Sequence, residues 1–184
     1  MQNQSLPIKA LLDQSWDLMI SDPHAARSLA LQALDCAPAN SDLRCESLGY
    51  IGLCHIYLGD FESAADVLNQ ALTIISEFNH SKNSRLINNA LGICYHALGR
   101  YGAALDHFEY TAQLARKLDD PQALMPPLIN MASLLFEMEH FDTAEQIITE
   151  VIGLDFSGAL ADNIVEVNLL QTQILLSSLR FNEA

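Results

Sequence analysis

The stretch ESLGYIGLCHIYLGDFESAADVLNQALTIISEF, residues 46–78, reads as two helices joined by a tight turn. Leu48, Ile51 and Cys54, with Ile56 and Leu58 beyond, recur at helical spacing, and so do Ala64, Val67, Leu68, Ala71, Leu72 and Ile75. The LGD between them is the punctuation. Gly59 stands where a helix end favours a left-handed residue, and Asp60 can cap the helix that follows. Gly52 carries a further implication: two antiparallel helices approach closely only where a side chain is nearly absent, so Gly52 is expected to face Ala64.

Working outward, the turn recurs. GDFESA (59–64) is followed by GRYGAA (99–104), EHFDTA (139–144) and LRFNEA (179–184), which sets Phe61, Tyr101, Phe141 and Phe181 at intervals of 40 residues. Ala64, Ala104, Ala144 and Ala184 keep that interval, as do the small residues Gly52, Gly92, Ala132 and Thr172. Gly92 is accordingly expected to face Ala104. Upstream, IKALLDQSWDLMI and PHAARSLALQALDCA form a divergent first pair around an SDP turn, with Asp22 capping and Pro23 in the first helical turn, where its missing N–H costs nothing.

The spacing predicts helices over 7–20, 23–36, 42–58, 61–78, 83–98, 101–118, 122–138, 141–153 and 160–179. In DDPQALMPPLIN, Pro121 can open a helix after Asp120, but Pro126 and Pro127 follow a turn later, so the helix either begins at Pro126 or is kinked there. The expected organisation is a single array: a first repeat over 7–38, then repeats over 42–78, 83–118 and 122–154, and a fifth over 160–184 that breaks off in its second helix.

Composition narrows the function classes. Half of the 184 residues are apolar and only 7% are aromatic, a mixture that favours packed helices. With 23 acidic against 9 basic residues and a net charge of −14, the chain is a poor binder of phosphate backbones, and an anionic membrane surface would repel it. We therefore expect no nucleic-acid partner and no membrane partner. Absence of a basic stretch leading into an apolar core at the N-terminus leads to the expectation of a cytoplasmic protein. Cys36, Cys45, Cys54 and Cys94 form no CxxC pair and have no His at metal-ligand spacing, so they read as reduced, packed thiols. The six histidines are scattered without an HExxH, and nucleophile-elbow, P-loop and Rossmann glycine patterns are missing. No catalytic residue, metal site or cofactor is expected.

The recurring pattern resembles the tetratricopeptide repeat (TPR): a small residue within the first helix, an aromatic just past the turn, then an alanine and a larger apolar residue in the second helix. NNALGICYHALGRYGAALDHFEYTAQLARKLDD (88–120) carries it best, with Leu91, Gly92, Tyr95, Tyr101, Ala104 and Phe108 in place. The 40-residue interval exceeds the usual 34 of that family and is similar to the longer-helix variety of bacterial signalling proteins. Trp is absent from the usual first-helix position, where Leu48, Asn88, Leu128 and Asn168 stand.

The resemblance implies an all-α fold, a right-handed superhelical solenoid of antiparallel helix pairs whose first helices line a concave face. Residues expected on that face are Tyr50, Leu53 and Tyr57, then Asn89, Ile93 and His96, then Asn130, Ser133 and Glu137, flanked by Glu46 and Arg85. Asn89 and Asn130 are the most specific, because an amide side chain both donates to and accepts from an extended peptide. Function is expected to be non-catalytic binding of a protein or peptide, of basic character given the acidic surface, within the regulatory part of a larger bacterial signalling protein. The alternative is the N-terminal region of a diguanylate cyclase (GGDEF) with its output domain after residue 184. The helix over 160–179 is expected to expose Ile164, Val167, Leu170, Ile174 and Leu175 and to pair two copies into a homodimer.

Overall fold

The computed structural model describes residues 2–78, 83–154 and 161–182, without the side chains of 2–6, 78, 161–164, 166 and 177–182. The described residues form helices α1 (Gln2–Leu18), α2 (Pro23–Cys36), α3 (Asp42–Tyr57), α4 (Phe61–Phe78), α5 (Ser84–Ala97), α6 (Tyr101–Lys117), α7 (Pro121–Glu137), α8 (Phe141–Ile152) and α9 (Ala161–Asn182), with no strand among them. Two compact units divide the chain, Met1–Ala104 and Leu105–Ala184.

One turn chemistry closes four helices. Asp60 N–H donates to the His55 carbonyl (2.9 Å) and Gly59 N–H to that of Ile56 (2.9 Å), so the last carbonyls of α3 are satisfied by a reversed final turn. The same pair of bonds recurs at Gly99 and Arg100 after α5, at Asp119 and Asp120 after α6, and at Glu139 and His140 after α7. This motif needs a left-handed residue. Gly59 (φ 76°) and Gly99 (φ 70°) supply it as expected, whereas Asp119 (φ 51°) and Glu139 (φ 62°) adopt it against the steric cost of a Cβ.

In the first unit the odd helices touch in succession, α1 to α3 and α3 to α5, while α2 lies against α1 and α3, and α4 against α3 and α5. Among the described residues α2 and α4 do not meet. In this unit the odd helices therefore form one layer, against which α2 and α4 each pack. Ala64, Leu68 and Ala71 of α4 are fully buried against Cys45, Leu48, Ile87, Leu91 and Cys94. In the second unit α7 and α8 pair, α9 rests on both, and Leu128, Ala132, Ala144, Ile148, Val167, Leu170 and Ile174 share its core.

Four expectations need correction. Gly52 receives Leu68 rather than Ala64: a Cβ there would lie 2.5 Å from Leu68 Cγ, because the larger side chain one turn along reaches across to the gap. Helix α1 runs from Gln2 to Leu18, not 7–20; Pro7 is accommodated near its start, and the helix must end before Pro23, ahead of which Asp22 has left the helical conformation (φ −147°, ψ 79°) to cap α2. For α7 the alternative start at Pro126 is the one overturned: the helix opens at Pro121, as Asp120 and Pro121 suggest, with the Asp120 side chain accepting from Ala123 N–H at 3.0 Å, and carries Pro126 and Pro127 inside it.

The fourth correction concerns α9. Val167 (2% exposed), Leu170 (5%) and Ile174 (1%) are buried in the core of the second unit, not displayed. They recur at i, i+3 and i+7, the face turned to α7 and α8. Among the described side chains of the expected display only Leu175 is exposed, and it is joined by Val165, Leu169 and Leu176. The side chain of Ile164 lies outside the described residues, as do those of Phe181 and Ala184.

Candidate partner-binding face

The face of the odd layer that is not consumed by packing is set by helical spacing. On α3 the residues Glu46, Tyr50, Leu53 and Tyr57 follow one another at i, i+4, i+7 and i+11, one continuous stripe. Tyr57 is exposed, while Tyr50 and Leu53 are half-buried, Leu53 touching the core between α3 and α4. Next to it, α5 presents Arg85, Asn89, Ile93 and His96, all half-buried. Gly49 sets the separation of these two stripes, since a Cβ there would meet Leu86 of α5 at 3.1 Å. Asn83 adds a tie at the helix starts, its Nδ2 donating to the Asp42 carbonyl at 2.9 Å.

Two neighbouring asparagines on α5 have different settings. Asn88 is buried, with its Nδ2 donating to the Ser84 carbonyl (2.8 Å) and to Ser84 Oγ (3.3 Å), so its role is internal. Asn89 stands one residue on, at the edge of the face. His96 is committed in part to the hairpin turn, its ring meeting Tyr101 edge-on at 6.0 Å. Phe136 does the same with Phe141 at 5.5 Å, 40 residues later. In the second unit α7 carries Asn130 and Ser133, both half-buried, and Glu137, which is exposed.

A residue missed in the sequence extends the face onto α1. Trp16 is 53% exposed and packs its ring on Tyr50 with centroids 5.4 Å apart and planes inclined at 40°. Its signal was its being the chain's single tryptophan, but the divergent first pair lacks the glycine and aromatic that fix the register of the others. Asp13 shares its side of the helix at i−3, Asp17 follows it in sequence, and both are exposed. Burial pushes the Tyr50 hydroxyl up to about 12, helped by the carboxylates of Glu46 and Asp13, and the hydroxyl donates to Glu46 Oε1 at 3.5 Å. Tyr50 thus stays a neutral, amphipathic ring in an acidic setting.

Burial raises the thiols of Cys45, Cys54 (about 11) and Cys94 (about 12), which keeps them protonated and unreactive. His55 Nδ1 lies 3.2 Å from Asp60 Oδ2 in the turn, where hydrogen bonds from Ser63, and then His55, hold the Asp60 carboxyl below the usual carboxylate range. Among the described residues no group of three His, Cys, Asp or Glu is placed to hold a metal ion. None of the helices, as far as they are described, is long and apolar enough to cross a membrane.

With the paired helices, the buried Ala64, Ala104 and Ala144 and the left-handed turns described, the match to known sequences falls on the hairpin α3–α4: residues 46–78 match the tetratricopeptide repeat family. That hairpin is similar to a TPR. Solved structures extend the likeness of fold. Nearly identical TPR-like repeats from Podosopora anserina superpose with a TM-score of 0.74 at 12% identity, covering 96% of this chain and 89% of that one. The apo form of RapI gives 0.73 at 14% identity over 97% of this chain and 53% of its own. A tetratricopeptide repeat protein from Parabacteroides merdae gives 0.59 at 19% identity, covering 91% and 60%. In sequence, the mouse trafficking protein particle complex subunit 12 is 28% identical over 131 residues, which are 71% of this chain. The chain spans 16% of the length of that relative. The likeness to these solved structures is one of fold.

Proposed function

We propose that the chain binds a peptide or a protein domain on the exposed face of its odd helices, without catalysis. The observation that supports this reading is the stripe arrangement in the first unit. Half-exposed aromatic and aliphatic side chains (Tyr50, Leu53, Tyr57, Ile93) alternate with amide and imidazole groups (Asn89, His96) on adjacent packed helices. Such a surface can bury apolar area while pairing a peptide backbone. Asn130, Ser133 and Glu137 form the corresponding stripe on α7. The partner is basic, because the surface is strongly acidic and charge of one sign steers its opposite.

The test uses peptides selected from a displayed random library on the intact chain. Tyr57→Ala, and separately Asn89→Ala with Asn130→Ala, weaken a selected peptide severalfold while the helical circular dichroism is unchanged. Unchanged affinity in both variants refutes the odd-helix face.

On the wider role, the reading is a regulatory segment of a larger cytoplasmic bacterial signalling protein, with a diguanylate cyclase as the alternative output. Support comes from the resemblance of the 40-residue intervals to the long repeats of such proteins. The reading frame beyond codon 184 decides it: an output domain upholds this role, and an immediate stop codon ends it. Self-association through α9 is proposed for Leu175 with Val165, Leu169 and Leu176. A monodisperse monomer at all concentrations in light scattering excludes it.

A further inference from the structure

We propose that Trp16 and Tyr50, with the carboxylates of Asp13 and Glu46, form a subsite for an arginine side chain of the bound peptide. This rests on the odd-helix reading and names what one part of that face selects. Trp16 and Tyr50 come from neighbouring helices, α1 and α3, and their rings lean on each other at 5.4 Å while Trp16 keeps half its surface open. An open indole face is the best aromatic platform for a cation, and the planar guanidinium adds stacking to the electrostatic attraction.

The carboxylates supply the second half of the recognition. Asp13 precedes Trp16 by three residues and Glu46 precedes Tyr50 by four, so each acid stands beside its own aromatic on one helix face. Their influence on Tyr50 is direct, since both act on its hydroxyl and Glu46 accepts its hydrogen bond. Asp17 adds a third negative charge on α1. Of the chain's own cations nearby, Arg44 Nη1 donates to the Leu34 carbonyl of α2 at 3.5 Å and Arg27 belongs to α2, while Lys9 stands one turn before Asp13 on the same side of α1. A guanidinium laid on Trp16 with its edge toward Asp13 and Glu46 gains a charge-assisted hydrogen bond, and the aliphatic stem of the arginine covers the Tyr50 ring. Leu53 and Tyr57, one and two turns along α3, offer apolar contact to the residues that follow it.

Because Trp16 is the single tryptophan, its fluorescence reports this subsite alone. The intact chain is titrated with a capped hexapeptide containing Arg-Leu-Leu-Arg and with its citrulline counterpart, which keeps shape and hydrogen-bonding groups but removes the charge. The expected result is a saturable change in Trp16 fluorescence with the arginine peptide and an affinity at least about tenfold lower for citrulline. The double variant Asp13→Asn with Glu46→Gln, which preserves side-chain volume, lowers the arginine affinity by a similar factor and abolishes most of its salt dependence. Equal affinity for the two peptides overturns the cation subsite while leaving the odd-helix face standing. Saturable binding that is unaltered in the double variant, or no saturable response to either peptide, also overturns it; the face itself is judged separately by the Tyr57 and Asn89/Asn130 variants.

Discussion

The hairpins α3–α4 and α7–α8 lie 80 residues apart, close with the same two backbone hydrogen bonds, and reach that geometry with different residues. Where the first has Gly59 in the left-handed region, the second forces Glu139 into it. Where Asp60 accepts from Ser63 N–H at 3.2 Å to cap α4, His140 makes no side-chain cap for α8. Beneath the turn, Leu68 fills the gap over Gly52, while the corresponding pair is Ile148 and Ala132, both buried. The backbone pattern is thus tolerant of its residues, and the energetic cost of that tolerance is local. The α3–α4 hairpin is built with favourable choices at all three places, and the family match falls on it.

The largest effect in this comparison belongs to Gly52. Gly52→Ala puts a methyl group 2.5 Å from Leu68 Cγ and should lower stability by about 3 kcal/mol, read as the midpoint shift in urea unfolding. Ala132→Gly, at the equivalent place, needs no repacking and should cost about 1 kcal/mol. Equal losses at the two sites would mean that the close approach is not specific to the first hairpin. Next in size is the turn residue. Glu139→Gly relieves the left-handed strain and should raise stability by up to about 1 kcal/mol, whereas Gly59→Ala should lower it by about 1 kcal/mol. Thermal unfolding of the two variants side by side checks the opposite signs.

A smaller effect is expected from His107 on α6. Burial holds its imidazole below the ordinary histidine range, opposed by Asp106. Its native pKa is lower than its unfolded one, so its contribution is complete above about pH 6.5 and is lost as pH falls through that value toward the native pKa. Denaturant titrations at pH 7.5 and 5.5 should therefore show a smaller acid loss in His107→Gln than in the parent chain. The smallest effect is chemical. Only Cys36 is exposed among the four thiols, so a thiol reagent should modify one cysteine quickly in the native chain and all four after denaturation.

How far the sequence was legible follows from what marks a position. Helices α3 to α8 could be placed within one or two residues because Gly59, Gly99, the aromatics at 61, 101 and 141 and the buried alanines three residues beyond each fix both ends of a turn. The face of α9 was not legible. That helix is apolar on two sides, with Val167, Leu170 and Ile174 on one and Val165, Leu169 and Leu176 on the other. Periodicity alone finds both stripes, and only the packing of α7 and α8 decides which is core. Trp16 escaped for a related reason, since an SDP turn gives α1 no register against the other pairs. On α5, Asn88 and Asn89 are adjacent in sequence, yet only the fold separates the one bonded to Ser84 from the one at the face.

The most direct test of the account maps a library-selected peptide onto the chain by chemical-shift perturbation. The predicted result is that the largest shifts fall on Trp16, Leu53, Tyr57, Asn89 and Ile93 of the odd helices. Shifts confined to Glu62, Asp66, Asn69 and Thr73 on the outer side of α4, with the odd-helix residues unmoved, would contradict it.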